Sequence, residues 1–302
     1  MTDKDSIEQI AKETLAWPDN RKWETTDKDE RFRSCFGAPS EVVAEIWNRI
    51  EPTIDKPGAH PKHLLWALVF LKVYSTEDIH CSIVGWPSTR TFCTWSWYFV
   101  RKISELKDDV ILLENRFVDG PLSNPHVPER NCYLTVDCTD CPVFEPLPFN
   151  PEMFSHKFNG PGLKYEVAVC IRTGHIVWIN GPFPASVADP TIFRDGLSNE
   201  IGENEVVEAD AVYSGPLNAM TPRQGISREA RKQKSVARGR HEVVNGRLKQ
   251  FSVLTTHFRH MKPNKQSMIQ KHGWCFTAVA VITQLKFENG AQTFNVEYDI
   301  TY

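Results

Sequence analysis

Three carboxylates in this sequence have the chemistry and the placement to hold a hard metal ion. Asp137 closes the predicted strand YLTVD, Asp210 closes the predicted strand NEVVEAD, and Glu242 lies in a basic segment predicted to be helical. A carboxylate at the carboxyl end of a strand emerges at the rim of a sheet, where sites of α/β folds form. Oxygen ligands suit Mg²⁺, and two such ions can activate a nucleophile and stabilise the leaving oxygen of a phosphodiester. We therefore predict that the three carboxylates converge on one divalent-ion site.

The segment around Glu242 is strongly basic although the whole chain is not. From Arg223 to Lys249 there are nine Lys or Arg against two Glu, whereas the whole chain has a net charge of -3. Arg238 precedes Glu242 by one helical turn and Lys249 follows it by two, which predicts that the three share one face. Cations beside a metal-ligating glutamate would hold an anionic strand. A solvated helix face is the alternative, and it explains the charges without any ligand.

The amino-terminal part of the chain is predicted to be helical. Residues 1–37 read as a polar tail, and residues 38–118 read as an all-α domain. Ser75 and Ser88 can cap two helices on either side of a Gly-Trp-Pro break, as Ser40 can cap an earlier one. A short helix, a turn and a longer helix outline a helix-turn-helix, whose second helix would present Arg90 to DNA. An ordinary helical bundle is the alternative.

The carboxyl-terminal part is predicted to be a mixed α/β domain. The linker DGPLSNPHVPER covers residues 119–130, and residues 131–302 follow it. NCYLTVDCTDCPVFEP, LKYEVAVCIR and HIVWINGPF are β-branched and aromatic runs bounded by Gly, Pro or Asn, which is typical of strands. DPTIFRDGLSNEI, a long polar segment from Ser227 to about His257 and an apolar one near GWCFTAVAVITQL read as helices.

Neither a leader nor a membrane span is predicted. The start MTDKDSIEQIAKE lacks the apolar core of a signal peptide, and the longest apolar run, LLWALVFL, is eight residues. Eight cysteines without a secretion signal fit reduced thiols, so we expect an intracellular protein with no membrane partner.

Two groups of soft ligands offer alternative metal sites. Cys138 and Cys141 form a C-x-x-C, which we interpret as packing because no second such pair exists. A zinc site elsewhere in the chain is a more specific hypothesis, and its alternative is an ordinary polar helix end. Its four candidate ligands are His257, His260, His272 and Cys275. Asp140 and Asp189 are candidates to assist the main carboxylates, with N-cap or turn roles as the alternative.

The motifs around the three carboxylates resemble those of a DDE-superfamily transposase, most closely the PIF/Harbinger branch of eukaryotic DNA transposons. The resemblance runs from about Leu134 to Leu254. The first Asp of that family lies in a DGT-like motif, here Asp137-Cys138-Thr139, and the second precedes a Tyr, here Asp210 and Tyr213. Its Glu precedes an LK.F..L tail, here Glu242 before LKQFSVL, and the interval of 32 residues from Asp210 resembles the family's spacing. Related enzymes carry a Tyr-Arg-Glu-Lys signature.

Two positions depart from this pattern. The last three members of the signature fall on Arg238, Glu242 and Lys249, but Ser235 stands where its Tyr would be. The family's GSvHDs motif reads ASVADP here, from residue 185 to residue 190, so its His is absent. The three carboxylates themselves are all present.

The resemblance implies a fold, an activity and partners. It implies an RNase H-like catalytic domain that cleaves DNA at transposon ends and transfers the strand into target DNA, with Asp137, Asp210 and Glu242 as catalytic metal ligands. It also implies Mg²⁺, as two ions and with Mn²⁺ as a substitute, terminal inverted repeats as substrate, a homo-oligomer, a separate Myb-like DNA-binding partner and a nuclear location. The predicted DNA-binding residues are Arg90, Arg231, Lys232, Lys234, Arg238, Arg240, Arg247 and Lys249. A host-adopted nuclease that no longer transposes and a non-catalytic DNA-binding scaffold remain as alternatives.

Overall fold

The computed structural model describes residues 1–15, 25–117, 130–145, 148, 150–214, 218–221, 227–260, 265–291 and 293–296. The predicted linker 119–130 lies outside these residues except for Arg130. The described α-helices, in chain order, are α1 (Lys4–Thr14), α2 (Thr25–Phe36), α3 (Ser40–Ile50), α4 (Pro61–Val73), α5 (Glu77–Ile83), α6 (Thr89–Glu105), α7 (Lys107–Val110), α8 (Asp189–Asp195), α9 (Arg228–Leu248) and α10 (Lys265–Glu288). The strands are β1 (Asn131–Pro142), β2 (Phe154–Ser155), β3 (Gly160–Cys170), β4 (Ile176–Pro184), β5 (Glu205–Glu208) and β6 (Ala219–Met220). Together they make a mixed α/β protein, as predicted.

The chain forms two compact units, and each contains separate stretches of sequence. Unit 1 contains residues 1–110, 248–258 and 271–290, and unit 2 contains residues 111–247, 259–270 and 291–302. The predicted catalytic domain of residues 131–302 therefore does not coincide with one unit. The sequence boundary followed the Pro-rich linker, whereas the units follow long-range packing that local composition does not reveal.

Unit 1 is all-helical and includes the region predicted to be a tail. Ile7 and Ala11 lie four residues apart on α1 and are fully buried, and Phe32 and Phe36 of α2 are also buried. The tail prediction was wrong because polar residues dominate the composition there, although the few apolar ones have helical spacing. Around α4, apolar side chains are buried on every side.

The helix pair predicted around the Gly-Trp-Pro break is present as α5 and α6. Ser88 caps α6, where its hydroxyl accepts a hydrogen bond of 3.1 Å from the backbone N–H of Thr91. Ser75 does not cap α5, because Thr76 precedes the first turn and the N–H of Ser75 donates to His80 instead. Ser40 is the first residue of α3 rather than its cap, and its hydroxyl donates to Glu8.

Unit 2 is built on one sheet with the strand order β2-β3-β1-β5-β6, in which β4 also pairs with β3. The pairs that β3 makes with β1 and β4 are antiparallel, whereas β5 pairs in parallel with both β1 and β6. One apolar cluster contains Val136 of β1, Phe193 of α8 and Tyr213. A second contains Cys132 of β1 and Ala237 of α9. Apolar packing therefore joins α8 and α9 to the sheet.

None of the helices in the described part of the chain has the length and apolar character needed to cross a membrane.

Candidate active site

The parallel pairing of β1 with β5 brings Asp137 and Asp210 to the same level of the sheet. The last pair of that ladder is Thr135 with Glu208. Asp137 and Asp210 each follow this pair by two residues on strands that run in the same direction. Two residues advance a strand by about 6.6 Å, and they restore the original side-chain direction where both strands stay extended. The register therefore explains why two acids far apart in sequence line one cleft.

Asp137 does not close its strand, contrary to the sequence prediction. β1 continues for five residues beyond it, to Pro142, because that part of the strand still pairs with β3 as far as Gly162. Only the parallel ladder with β5 ends before Asp137. Asp210 does follow the end of β5, as predicted, and it caps the short helical turn Ala211–Tyr213.

Helix α9 is fixed across the same face of β1 by two side-chain hydrogen bonds. The Nδ1 atom of His241 lies 2.8 Å from the Thr135 hydroxyl, and the Nδ2 atom of Asn245 donates to Oδ2 of Asp137 over 3.2 Å. The four-residue spacing on the helix spans about 6 Å, and the two-residue spacing on the strand spans about 6.6 Å, so the two pairs match. Glu242 follows His241 directly, so this registration also sets its position.

Asp137, Asp210 and Glu242 line one cleft of about 60 Å³ together with Thr135, Val136, Arg238 and His241. Glu242 is exposed, whereas Asp137 and Asp210 are partly buried. Burial raises the pKa of the Asp137 carboxyl to about 6, and the nearby positive charge of Lys157 opposes that shift. Burial also lowers the pKa of His241 to about 4, so its ring is neutral near pH 7.

Arg238 supplies positive charge to the cleft. Its Nη2 atom donates to Oδ1 of Asp210 over 3.1 Å, and the two side chains are 31% and 48% exposed. The pair neutralises one of the three acids. Being partly exposed, it is weak enough for a competing cation or phosphate to exchange with it.

The donors of the cleft fit a hard divalent ion in their chemistry. Carboxylates are the oxygen ligands that Mg²⁺ takes, and the amide oxygen Oδ1 of Asn245 is buried nearby without a hydrogen-bond partner. Among the residues that the structure describes, no three His, Cys, Asp or Glu side chains already stand close enough to hold a metal ion. Asp210 is instead paired with the Arg238 guanidinium.

The predicted DNA-binding cations of α9 lie on opposite faces of the helix. Arg231 and Lys232 are exposed, as is Lys249, which lies just beyond the helix because α9 ends at Leu248. Arg238 lies in the cleft, Arg247 is partly buried, and Arg90 of α6 is exposed.

Lys234 and Arg240 instead point into unit 2, which argues against the DNA contact predicted for them. Lys234 is 2% exposed, and its Nζ atom lies 3.1 Å from Glu208 and 2.7 Å from the Thr221 carbonyl. The guanidinium of Arg240 donates to the carbonyls of Phe294, Ile171 and Arg172. Sequence spacing identified the charges but not the direction of each side chain.

The other metal-site candidates do not form a cluster in the described residues. Cys138 and Cys141 are both buried, and their odd spacing along β1 sends them to opposite faces of the strand. His272 and Cys275 are fully buried, whereas His257 is exposed, and burial lowers the pKa of His272 to about 3. None of the eight cysteines, all of which the structure describes, forms a disulfide.

Asp140 and Asp189 have ion-pairing roles outside the cleft lining. Asp140 is buried and accepts from the Ser155 hydroxyl, with the Lys157 ammonium 3.6 Å away. Asp189 begins α8 and pairs with Lys164 over 2.6 Å. The N-cap expected of Asp189 is occupied by Ala188.

A comparison with protein families gives a match for the segment that contains the cleft acids. Residues 136–284 match the DDE superfamily endonuclease family. The matched segment covers just under half of the 302-residue chain and contains all three acids of the cleft. The comparison with curated proteins and the comparison with solved structures found no match. This match supports nuclease or transposase-type activity with DNA as the substrate.

Sequence reasoning missed three residues at this site: Thr135 and His241 line the cleft, and Asn245 contacts Asp137. Thr135 lies two residues from Asp137 on the strand and Asn245 lies three residues from Glu242 on the helix, spacings that return to the same face. His241 is adjacent to Glu242 and has no such spacing. For Thr135 and Asn245, periodicity was the available signal. It could not show which of the neighbouring polar residues would bond across the two elements.

Proposed function

We propose that the protein is a divalent-metal-dependent DDE transposase. It cleaves DNA at transposon ends as an endonuclease, and it transfers the released strand into target DNA. The observation that carries this proposal is the cleft shared by Asp137, Asp210 and Glu242, which lies within the segment matching the DDE endonuclease family.

The three acids would hold Mg²⁺, as two ions and with Mn²⁺ as a substitute. Two bound ions would supply an activated nucleophile and stabilise the leaving oxygen of the phosphodiester. The pairing of β1 with β5 sets the backbone positions from which Asp137 and Asp210 extend. Glu242, being exposed at the cleft, faces the side from which a strand approaches. Arg238 holds a guanidinium beside Asp210, where it can pair with a phosphate oxygen.

The exposed cations would bind the DNA backbone. Positive charge at the surface comes from Arg231 and Lys232 on α9 and from Lys249 after it. Lys234 and Arg240 instead bond to groups inside unit 2. Helix α6 presents Arg90 in its exposed first turn, which supports a helix-turn-helix-like contact with DNA. Arg247 is a further candidate for such a contact.

The finer assignment rests on the sequence motifs together with the sheet. An RNase H-like catalytic fold is supported by three antiparallel strands, β4, β3 and β1, followed by the parallel strands β5 and β6. If the protein is PIF/Harbinger-like, as the motifs suggest, its substrates are terminal inverted repeats and target DNA. On the same basis we propose that it forms a homo-oligomer, has a separate Myb-like partner and acts in the nucleus.

A cleavage assay tests the proposal. The full chain is incubated with Mg²⁺ and DNA carrying the inverted repeats that flank its coding sequence, and with the same DNA in which the repeats are scrambled. We expect metal-dependent cuts at the repeat ends that Asp210→Asn and chelation both abolish. Cleavage without strand transfer would favour the host-adopted nuclease. DNA binding without any cleavage, with Mg²⁺ or Mn²⁺, would contradict the proposal in favour of a scaffold.

A further inference from the structure

Asn245 contacts Asp137 of the cleft, and neither the motifs nor the proposed mechanism assigns it a role. It follows Glu242 by three residues on α9 and donates its Nδ2 hydrogen to Oδ2 of Asp137 over 3.2 Å. Its other amide atom, Oδ1, is buried and has no hydrogen-bond partner. Of the two polar groups of the side chain, the amide nitrogen therefore has a partner and the amide oxygen has none. The partner of the nitrogen, Asp137, is a candidate metal ligand.

A buried amide oxygen without a partner is costly. Leaving such an acceptor unsatisfied destabilises the folded state, and an apolar side chain at the same position would avoid that cost. The oxygen is also the part of Asn that binds hard cations, and Asn oxygens are regular ligands of such ions. An acceptor that the fold leaves unsatisfied beside a carboxylate thus suits a cation that binds both.

The distances allow one ion to take both groups. Amide bond lengths keep Oδ1 within about 6 Å of Oδ2 of Asp137. Two oxygens bound to one Mg²⁺ at about 2.1 Å lie at most about 4.2 Å apart, so a small side-chain adjustment suffices. The companion bond between His241 and Thr135 holds this turn of the helix against β1 during such an adjustment.

We propose that Asn245 is a positioning residue for Asp137 and supplies a fourth oxygen ligand to the divalent-ion site, a role that rests on the proposed metal-dependent function. With the amide hydrogen on Asp137 and the amide oxygen on the ion, both polar groups of Asn245 are satisfied. Asp137 is then held in place whether or not DNA is bound.

Calorimetric titration of Mn²⁺ into the full-length protein tests the role without relying on activity. We expect Asn245→Ala to weaken Mn²⁺ binding by about 10-fold or more. Losing a residue that only orients a metal ligand already costs about that much, so this figure is a lower bound for a direct ligand. Asn245→Asp retains an oxygen and should bind at least as tightly as the unmutated protein. Asn204→Ala, at an exposed position in a turn of the same unit, should change nothing.

Cleavage at varied Mg²⁺ gives a second readout. Excess Mg²⁺ should restore cleavage to Asn245→Ala, which it would not do if the residue only supported the fold. The inference would be overturned if Asn245→Ala bound Mn²⁺ as tightly as the unmutated protein. It would also be overturned if Asn245→Asp bound Mn²⁺ as weakly as Asn245→Ala. If the Ala variant does not fold, the Mn²⁺ affinity of the Asp variant alone decides. Mn²⁺ binding that depends on Asp210 but not on Asn245 overturns this role and leaves the proposed function intact. No Mn²⁺ binding by the unmutated protein overturns both.

Discussion

At the scale of single residues, an exchangeable ion pair offsets part of the negative charge in the cleft. Arg238 neutralises Asp210 at 3.1 Å, while Asp137 accepts a hydrogen bond from Asn245. An ion pair this exposed contributes at most about 1 kcal/mol, so a divalent ion can displace the guanidinium from the carboxylate. The released guanidinium would remain one helical turn from Glu242 and would be available to pair with a DNA phosphate.

The sequence pointed to the three carboxylates that line the cleft but not to the side chains that contact them. Asp210 and Glu242 were identifiable because a carboxylate after a strand or within a basic helix stands out from its neighbours in charge and position. Asp137 was identified through an expected strand end, which the structure places at Pro142 instead. Asn245 and Thr135 were not, because an Asn or Thr is common on any polar surface. Only the contact between α9 and β1 distinguishes them from solvent-facing neighbours.

At the residue scale, Glu166 of β3 should make the stability of the protein depend on pH. Its side chain is fully buried, and burial raises its pKa to about 7, although Trp178 Nε1 donates to it over 3.0 Å. Between about pH 4.5 and 7 the folded protein keeps a proton that the unfolded chain has lost, so the free energy of unfolding falls as pH rises. Glu166→Gln should flatten this fall and be more stable than the unmutated protein above about pH 7, by at most about 3 kcal/mol.

Urea unfolding across that range checks the effect. Near about pH 4 the Glu166 side chain is largely protonated in both the folded and the unfolded chain, so the variant and the unmutated protein should differ little there. Some slope should persist in the variant because the pKa of Asp137 is also raised. Equal pH profiles for the two proteins would show that Glu166 does not titrate as described.

At the scale of elements, α9 carries both buried cations and exposed ones, and only the exposed ones are proposed to contact DNA. Lys234→Met would remove the ammonium that pairs with the fully buried Glu208 carboxylate. Breaking such a pair costs about 3–5 kcal/mol, and the salt dependence of DNA affinity should stay unchanged. Lys232→Met, two residues away and exposed, should alter stability by less than about 0.5 kcal/mol. It should instead make the salt slope shallower by about one.

Paired unfolding and salt-titration measurements on the two variants check this separation. The opposite pattern, with Lys234→Met weakening DNA binding and leaving stability intact, would mean that α9 presents its other face to DNA.

Element types were largely predictable and element ends were not. β1, β3, β4, β5 and α10 form where β-branched or apolar runs predicted them. The long polar helix ends at Leu248 rather than near His257, and β1 runs past Asp137. Strand ends depend on the length of the partner strand, which no local pattern contains.

At the scale of the whole molecule, the chain enters unit 1 three times. Val281, Ile282 and Leu285 of α10 are fully buried and belong to the same unit as the amino-terminal helices. The ammonium of Lys286 donates to the Gly37 carbonyl over 3.0 Å, across 249 residues of sequence. Such pairing is set by tertiary packing, which explains why the predicted boundary at residue 131 fails to separate the units.

This arrangement predicts the behaviour of a split chain. A fragment of residues 118–302 should expose the apolar face of α10, bind hydrophobic dyes and aggregate. Co-expression with residues 1–117 should recover a soluble complex that elutes with the intact protein in gel filtration. A fragment of residues 118–302 that is soluble and binds no dye would contradict the shared packing of unit 1.

The central claim is that Glu242 is a metal ligand, and one comparison tests it most directly. Glu242→Gln and Glu229→Gln remove the same charge from exposed positions of α9, but only Glu242 lines the cleft. Mg²⁺-dependent cleavage and DNA affinity are measured for both. We predict that Glu242→Gln lowers the cleavage rate by at least about 100-fold, because losing a residue that only supports a metal ligand already costs up to about 100-fold. DNA affinity should stay equal or become tighter. Glu229→Gln should cleave normally. Cleavage by Glu242→Gln near the unmutated rate would show that Glu242 belongs to a solvated helix face.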